Sequence, residues 1–517
     1  MKAPFTFSRR GALMLMASAG LPLLAVAEDE KAAEGDPRSA GSDANAGGWT
    51  MIVLGSPTQV PVPPPVPVSD AAYQAEVAAV KLGQSQITDA QRESIEYWER
   101  GGVLRWNEIL LELVAKANLP PAPLENDSYP VPDANNPFAD PGFPFANPPY
   151  AARAYAYVAV AQYEALKAAW HYKYLYNRPA PTRVDSGVQA LRPQLDLPAY
   201  PSEDAVLSGV TTAMLQLLFP TGVELFTQRA AEQRQVALLS GRATASDIAA
   251  GLALGQAVAN LVIARARADG MGAAGGNPAI WQSFADQATA RGEIPWKSLE
   301  SPPRPPMLPM FGRVTPWMMN SADIAAVRPG PPPSTGSQEM ARELAEVKEV
   351  ARRLSRKQLA IALHWNDGAG TPTPPGHWNW IAAPYIVEAQ FSEVRAARAL
   401  ALLNMALEDA AIACWDTKFT YFNPRPSQLD RSIRTSIGLP NFPSYTSGHS
   451  TFSSAAADVL AYLFPSASSR FQAYAEEAGI SRLYAAIHYR SDIEQGKLCG
   501  KAVAGYTVRF AQTDGAG

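Results

Sequence analysis

The chain has 517 residues, a formal net charge of -4 and 18% charged residues. That length is enough for a large core or for two to three domains, and the slight acidity gives no reason to propose nucleic acid as a partner. Two cysteines, Cys414 and Cys499, exclude a disulfide framework; a single bridge between them stays open, beside the plainer reading of two small buried side chains.

Residues 1–27 read as an export signal. Ser8-Arg9-Arg10 precedes an apolar run that ends in Ala25-Val26-Ala27, and the paired arginines favour the twin-arginine route. The run is short for a membrane span and is broken by Ser18, Gly20 and Pro22, so cleavage is expected rather than anchoring. No later stretch reads as a membrane helix. A periplasmic or extracellular protein without stable membrane insertion follows. Residues 28–68 are expected to be a linker, disordered over Glu28–Gly48 and extended over Pro57–Pro67.

From Asp70 onward apolar residues recur at three- and four-residue spacing, and strand-like alternation is scarce. The expected fold is all-α, two related helical bundles with long Pro-rich loops. The relation comes from a repeat. Residues 152–177 overlay 397–422 at an offset of 245: Trp170 on Trp415, Lys173 on Lys418. Arg178-Pro179 meets Arg425-Pro426 after a two-residue insertion, and the offset of 245 then returns for Pro198, Ser202, Leu218-Phe219-Pro220, Asp247, Gly251 and Gly255. These boundaries give an N-terminal bundle over 69–300, a loop-rich connection over 301–380 and a C-terminal bundle over 381–517.

The repeat also separates a live copy from a dismantled one. The second copy carries Lys418, Arg425-Pro426, Ser447-Gly448-His449, Arg482, His488 and Asp492. The cations supply donors and charge for a tetrahedral oxyanion, the Ser-Gly turn opens a helix whose N–H groups face an anion, and two histidines can attack, ligate or move protons. The first copy has Glu203 for Gly448, Asp204 for His449, Ala237 for Arg482 and Ala243 for His488. Two acidic groups in place of those residues are expected to repel an oxyanion, which leaves the first bundle as scaffold. Gly479 and Ser481 read as a break and N-cap before a helix carrying His488 and Asp492 one turn apart, so that the carboxylate fixes the imidazole tautomer. Between the copies, His364-Trp365-Asn366-Asp367-Gly368 and Thr371 to Trp378 read as a rigid loop, with His364 and His377 either at the pocket mouth or merely packed.

Lys-x6-Arg-Pro, Ser-Gly-His and His-x3-Asp in this order resemble the signature of the superfamily that joins type 2 phosphatidic acid phosphatases to vanadium-dependent haloperoxidases. The stretch from His364 to Trp378 is similar to one in bacterial haloperoxidase-like proteins. The resemblance implies vanadate as cofactor, held by Lys418, Arg425, Ser447, Gly448, Arg482 and His488, with His488 as the ligand to the metal. It implies His449 as proton shuttle, Lys418 polarising hydrogen peroxide, Asp492 supporting His488, and a halide oxidised to hypohalous acid, with an organic acceptor as a further partner. Trp415 and Phe442 are similar to the chloroperoxidase type and mark a halide pocket; packing explains them equally. Two alternatives stay open. One is an exported phosphatase in which phosphate occupies the cup and His488 forms a phosphohistidine. The other is an inert helical scaffold. The halide, the organic acceptor and the oligomeric state are not legible, and a homo-oligomer is compatible with the chain.

Overall fold

The computed structural model describes residues 43–129, 147–193 and 196–517. The export signal expected over 1–27, and the linker up to residue 42, lie outside them. Among the described residues the secondary structure is helical, with no strand.

The main helices fall into two sets. The first holds α1 (Ala71–Ser85), α2 (Asp89–Trp98), α3 (Gly102–Ala117), α4 (Pro148–Tyr176), α5 (Glu203–Leu218), α6 (Val223–Leu239) and α7 (Ala245–Ala268). The second holds α8 (Gln338–Arg352), α9 (Arg356–His364), α10 (Thr373–Glu388), α11 (Glu393–Tyr421), α12 (Gly448–Leu463), α13 (Ser468–Tyr484) and α14 (Arg490–Ala511). They pair one to one. Both α4 and α11 have 29 residues, both end on a left-handed residue (Asn177, Phe422), and both lie in the main core, packed on each other through alanine-rich faces. Small side chains let these two helices approach closely along their length. α5 and α12 each start after a serine N-cap, Ser202 and Ser447, whose side chain accepts from the backbone three residues on.

The pairing extends to single hydrogen bonds. Arg153 binds Asp269 and the Ala266 carbonyl, as Arg398 binds Asp514 and the Ala511 carbonyl. Trp98 donates to Glu232 and Trp365 to Glu477, both at 3.0 Å. Ser246 donates to Glu76 and Ser491 to Glu343, both at 2.7 Å. The glycine pairs noted in the repeat also have one cause. A β-carbon on Gly251 or Gly255 would lie 2.4 or 2.3 Å from carbonyl oxygens of Ser202 and Val206. On Gly500 it would lie 2.2 Å from that of Thr451. α7 is apolar and long enough to cross a membrane by composition alone, unlike the expectation from sequence; here its glycines seat it against α5.

Two stretches differ from the sequence expectation. Residues 43–48, expected to be disordered, form a strap: Ala46 and Gly47 are buried, and Glu164 on α4 accepts the N–H groups of Ile52, Val53 and Leu54. The second copy has the same strap, where Asp409 on α11 accepts from Trp317 and Met318. The straps cross over reciprocally: Thr50 N–H donates to the Asp514 carbonyl and Thr315 N–H to the Asp269 carbonyl, both at 2.8 Å. Reciprocal contacts of this kind are what a twofold arrangement produces. The second difference follows from the first. Residues 301–380 are not a loop-rich connection throughout, because α8, α9 and the start of α10 occupy much of the stretch. They are the opening helices of the second copy. Thr373-Pro374-Pro375 begins α10 rather than a rigid loop, since proline suits the first helical turn.

Two predictions come from this frame. A β-carbon at Gly312 would sit 2.5 Å from the backbone of Asp416, and at Gly47 2.6 Å from that of His171. Gly312→Ala is expected to cost about 1–3 kcal/mol in denaturant unfolding; an unchanged midpoint would contradict the close approach. The second concerns Glu408, which burial pushes up to about 8, with Arg153 and the Trp317 N–H only partly offsetting it. Its folded value lies above the ordinary 4.5, so stability falls as pH rises between those two values. Glu408→Gln is expected to gain on the order of 3 kcal/mol over the parent at pH 8 and nothing at pH 4. Unfolding at both pH values tests it, and a gain independent of pH would contradict the assignment.

Candidate active site

The end of α11, the loop into α12, the end of α13 and the start of α14 converge in the second copy. Lys418, Arg425, Ser447, Arg482, His488 and Asp492 are all at most 2% exposed. The sequence-predicted cup is therefore assembled, with His449 at its edge, its side chain 15% exposed.

His488 is the best-defined group. It lies in the turn before α14, not on a helix, because α13 runs unbroken through Gly479 and Ser481 to Tyr484. Asp492 is the third residue of α14 and still reaches His488 Nδ1 at 2.8 Å. The same carboxylate oxygen accepts from Ser444 Oγ and from the Tyr489 N–H. A carboxylate only accepts, so Nδ1 carries the proton and Nε2 keeps its lone pair. Arg425 Nη1 confirms that sense, donating toward Nε2 at 3.0 Å. Burial first, then Arg425 and Lys418, hold His488 well below the ordinary imidazole range, while burial raises Asp492 to about 6. Ser444 is a partner that sequence reasoning did not single out; the first copy has Ala199 there.

The cations are braced against carbonyls. Arg425 donates to the carbonyls of Phe442 and Ile487 and leaves buried Nη2 without a partner among the described residues. Arg482 donates to Ser481 Oγ and the Ala362 carbonyl. Burial lowers both guanidiniums to about 10. Lys418 spends its three donors on the carbonyls of Pro443, Ser444 and Thr446, and burial brings it to about 7. An anion that bonds Lys418 must therefore exchange with one of those carbonyls. The rings of Trp415 and Phe442 lie 4.9 Å apart beside Lys418, tilted at 50° to each other, and Trp415 Nε1 donates to the Met307 carbonyl. They form an apolar wall.

The first copy shows the exchange. Lys173 donates to the Pro198 carbonyl at 2.6 Å and pairs with Glu203 at 2.7 Å. Asp204 pairs with Arg192, and Asp247 with Arg178. The acidic groups expected there do more than repel an anion: internal carboxylates already neutralise the cations.

His449 meets a residue that the sequence left in a loop. Its Nε2 lies 3.4 Å from Asp367 Oδ2, and Asp367 Oδ1 lies 3.0 Å from His377 Nδ1. Burial, then Arg482, lower His449 to about 4. His364 is exposed and stands edge-on to His377, so His377 lines the approach to His449 and His364 lies outside it. No local pattern marks Asp367; the adjacent His364-Trp365 was the available signal. Cys414 and Cys499 are buried and unbridged.

A cup of three buried cations suits an oxyanion and opposes a bare divalent cation. Among the described residues no three His, Cys, Asp or Glu side chains gather as a ligand set. The orphaned Arg425 Nη2 and the unprotonated Nε2 of His488, which accepts only from Arg425 Nη1 among the described residues, fit a vanadate-type oxyanion held by one imidazole.

Residues 398–516 match the family model of the PAP2 superfamily. That match lies within the C-terminal bundle. Among solved structures, the bacterial vanadium-dependent iodoperoxidase is similar at 21% identity and a TM-score of 0.55, covering 78% of this chain and 96% of that one. The apo-type bacterial vanadium-dependent chloroperoxidase reaches 12% identity and a TM-score of 0.49, covering 72% and 94%. The holo-type reaches 13% and 0.49, covering 75% and 97%. A comparison with curated proteins finds no match. The all-α fold of the iodoperoxidase is thus shared, and within it the PAP2 match covers the segment that carries the cup, from Arg398 onward.

Proposed function

We propose that this protein is a vanadate-dependent haloperoxidase that acts outside the cytoplasm. The observation that carries the reading is His488: a buried imidazole with Nδ1–H held by Asp492 and an unprotonated Nε2 that accepts from Arg425, facing three buried cations. His488 would hold vanadate through Nε2, and Arg425, Arg482 and the N–H groups opening α12 would hold its oxygens. Bound vanadate supplies a Lewis-acidic centre that activates hydrogen peroxide toward two-electron oxidation of a halide. The overall change takes one halide, one peroxide and one proton to hypohalous acid and water. His449, at the open edge, is placed to deliver that proton. Lys418 adds positive charge beneath the wall of Trp415 and Phe442, where a halide avoids competition from water.

The PAP2 match favours one second reading, a phosphatase in which His488 Nε2 attacks phosphorus. One experiment separates them. The mature protein is reconstituted with vanadate and assayed for peroxide-dependent halogenation of a dye, and, without vanadate, for aryl phosphate hydrolysis. Halogenation is expected. Phosphate release without halogenation overturns the first reading, and neither activity leaves the scaffold.

A further inference from the structure

The His364–Trp378 stretch was singled out by sequence and is not used by the cup itself. His377, near the start of α10, donates through its ring to one oxygen of Asp367, and the other oxygen faces His449. At 3.4 Å that second contact is long, yet both facing atoms are buried and neither has another partner among the described residues. They are each other's remaining partner, and catalytic contacts often tighten only when the site is loaded. His377 is itself fixed. Its ring stacks on Trp365 at 4.5 Å, and Trp365 is pinned by Glu477 at 3.0 Å. None of Trp365, Asp367 and His377 belongs to the segment matching the PAP2 model, so the clamp comes from the upstream half of the second copy.

We propose that His377 is a positioning residue for the proton-transfer histidine: by holding one oxygen of Asp367 it presents the other to His449 Nε2, and so decides which ring nitrogen of His449 carries the proton. This rests on the reading of His449 as the group that moves a proton. A carboxylate accepts only, so a paired Nε2 is the protonated nitrogen and Nδ1 is left as the acceptor.

The test uses the full chain labelled with ¹⁵N. Only five histidines are present, so the ring signals can be assigned by substitution. Without vanadate, long-range ¹H–¹⁵N spectra are expected to show His449 as one tautomer, protonated on Nε2. His377→Phe keeps the stack on Trp365 but loses the donor, and is expected to give a mixture of tautomers. His377→Asn returns an N–H near the place of Nδ1 and is expected to restore the single form. In the vanadate-loaded enzyme, His377→Phe is expected to lower kcat about 10- to 100-fold with the peroxide KM within about threefold, and His377→Asn to recover most of it. Thermal melting checks that each variant is folded. An unchanged His449 tautomer in His377→Phe overturns the proposal, as does a folded His377→Asn that fails as badly as His377→Phe. If the parent does not halogenate at all, the haloperoxidase reading fails, while the spectra still decide the role of His377.

Discussion

Replacing His488 with alanine is expected to abolish vanadate retention and to remove turnover by at least about a thousandfold. Three consequences coincide. The Nε2 lone pair that would bind the metal is lost. Arg425 Nη1 loses a partner 3.0 Å away, and Asp492 loses the Nδ1–H at 2.8 Å. A buried carboxylate raised to about 6 then stands beside the cations with less to hold it, and can draw Arg425 or Lys418 toward itself. Asp492→Asn is a milder change. The amide can still accept from Ser444, yet it does not favour Nδ1–H as a carboxylate does, and a 10- to 100-fold loss is expected, as is common for groups that orient a metal ligand. Metal analysis after desalting separates the two variants. His488→Ala that kept one vanadium per chain would remove the ligand assignment.

The second large effect copies the dismantled site into the live one. Gly448→Glu introduces the residue that the first copy carries as Glu203. Room for it exists: a β-carbon at Gly448 meets nothing nearer than Phe452 at 3.6 Å, and the position is the first turn of α12, as Glu203 is of α5. Glu203 pairs with Lys173 at 2.7 Å, and the new side chain is expected to take Lys418 in the same way. A built-in carboxylate competes at every concentration of vanadate. The affinity is expected to fall by about a thousandfold, the cost of placing like charges in one buried cup, with the melting temperature within a few degrees of the parent. The reverse change, Glu203→Gly, is expected to create no second site, because Ala237 and Ala243 replace Arg482 and His488. Vanadate affinity measured by calorimetry decides the matter; Gly448→Glu binding like the parent would contradict the parallel between the cups.

How much of this was legible in the sequence follows from where the chain keeps its register. Between α4 and α7 the copies hold one offset except at Arg178-Pro179, so Trp170, Lys173, Ser202 and Gly251 could be laid on their counterparts and the live cup told from the dead one. Upstream the offset breaks. The first copy joins α3 to α4 through residues 118–147, and the second joins α10 to α11 through residues 389–392 only. A longer connection between helices costs little in loop-closure entropy, but it shifts α8, α9 and α10 out of register and makes them look like a linker. The missed residues follow from that. Trp365 is the counterpart of Trp98, each donating to a glutamate on the next-but-three helix of its own copy, yet the pair is invisible at an offset of 245. Asp367 and His377 lie beyond the same break and depend on contacts that no spacing reports. His488 shows a different limit. The four-residue spacing to Asp492 led to the correct partner by the wrong route, since a capping carboxylate at a helix start reaches back to the preceding turn just as a helical neighbour would.

The central claim is that this chain builds one oxyanion cup from its second copy and fills the equivalent place in its first with its own carboxylates. Counting bound vanadate in the purified full-length protein, by equilibrium dialysis with vanadium measured by elemental analysis, tests it most directly. One vanadate per chain, lost in His488→Ala and in Gly448→Glu, is the expected result; two per chain, or none under saturating vanadate, would contradict it.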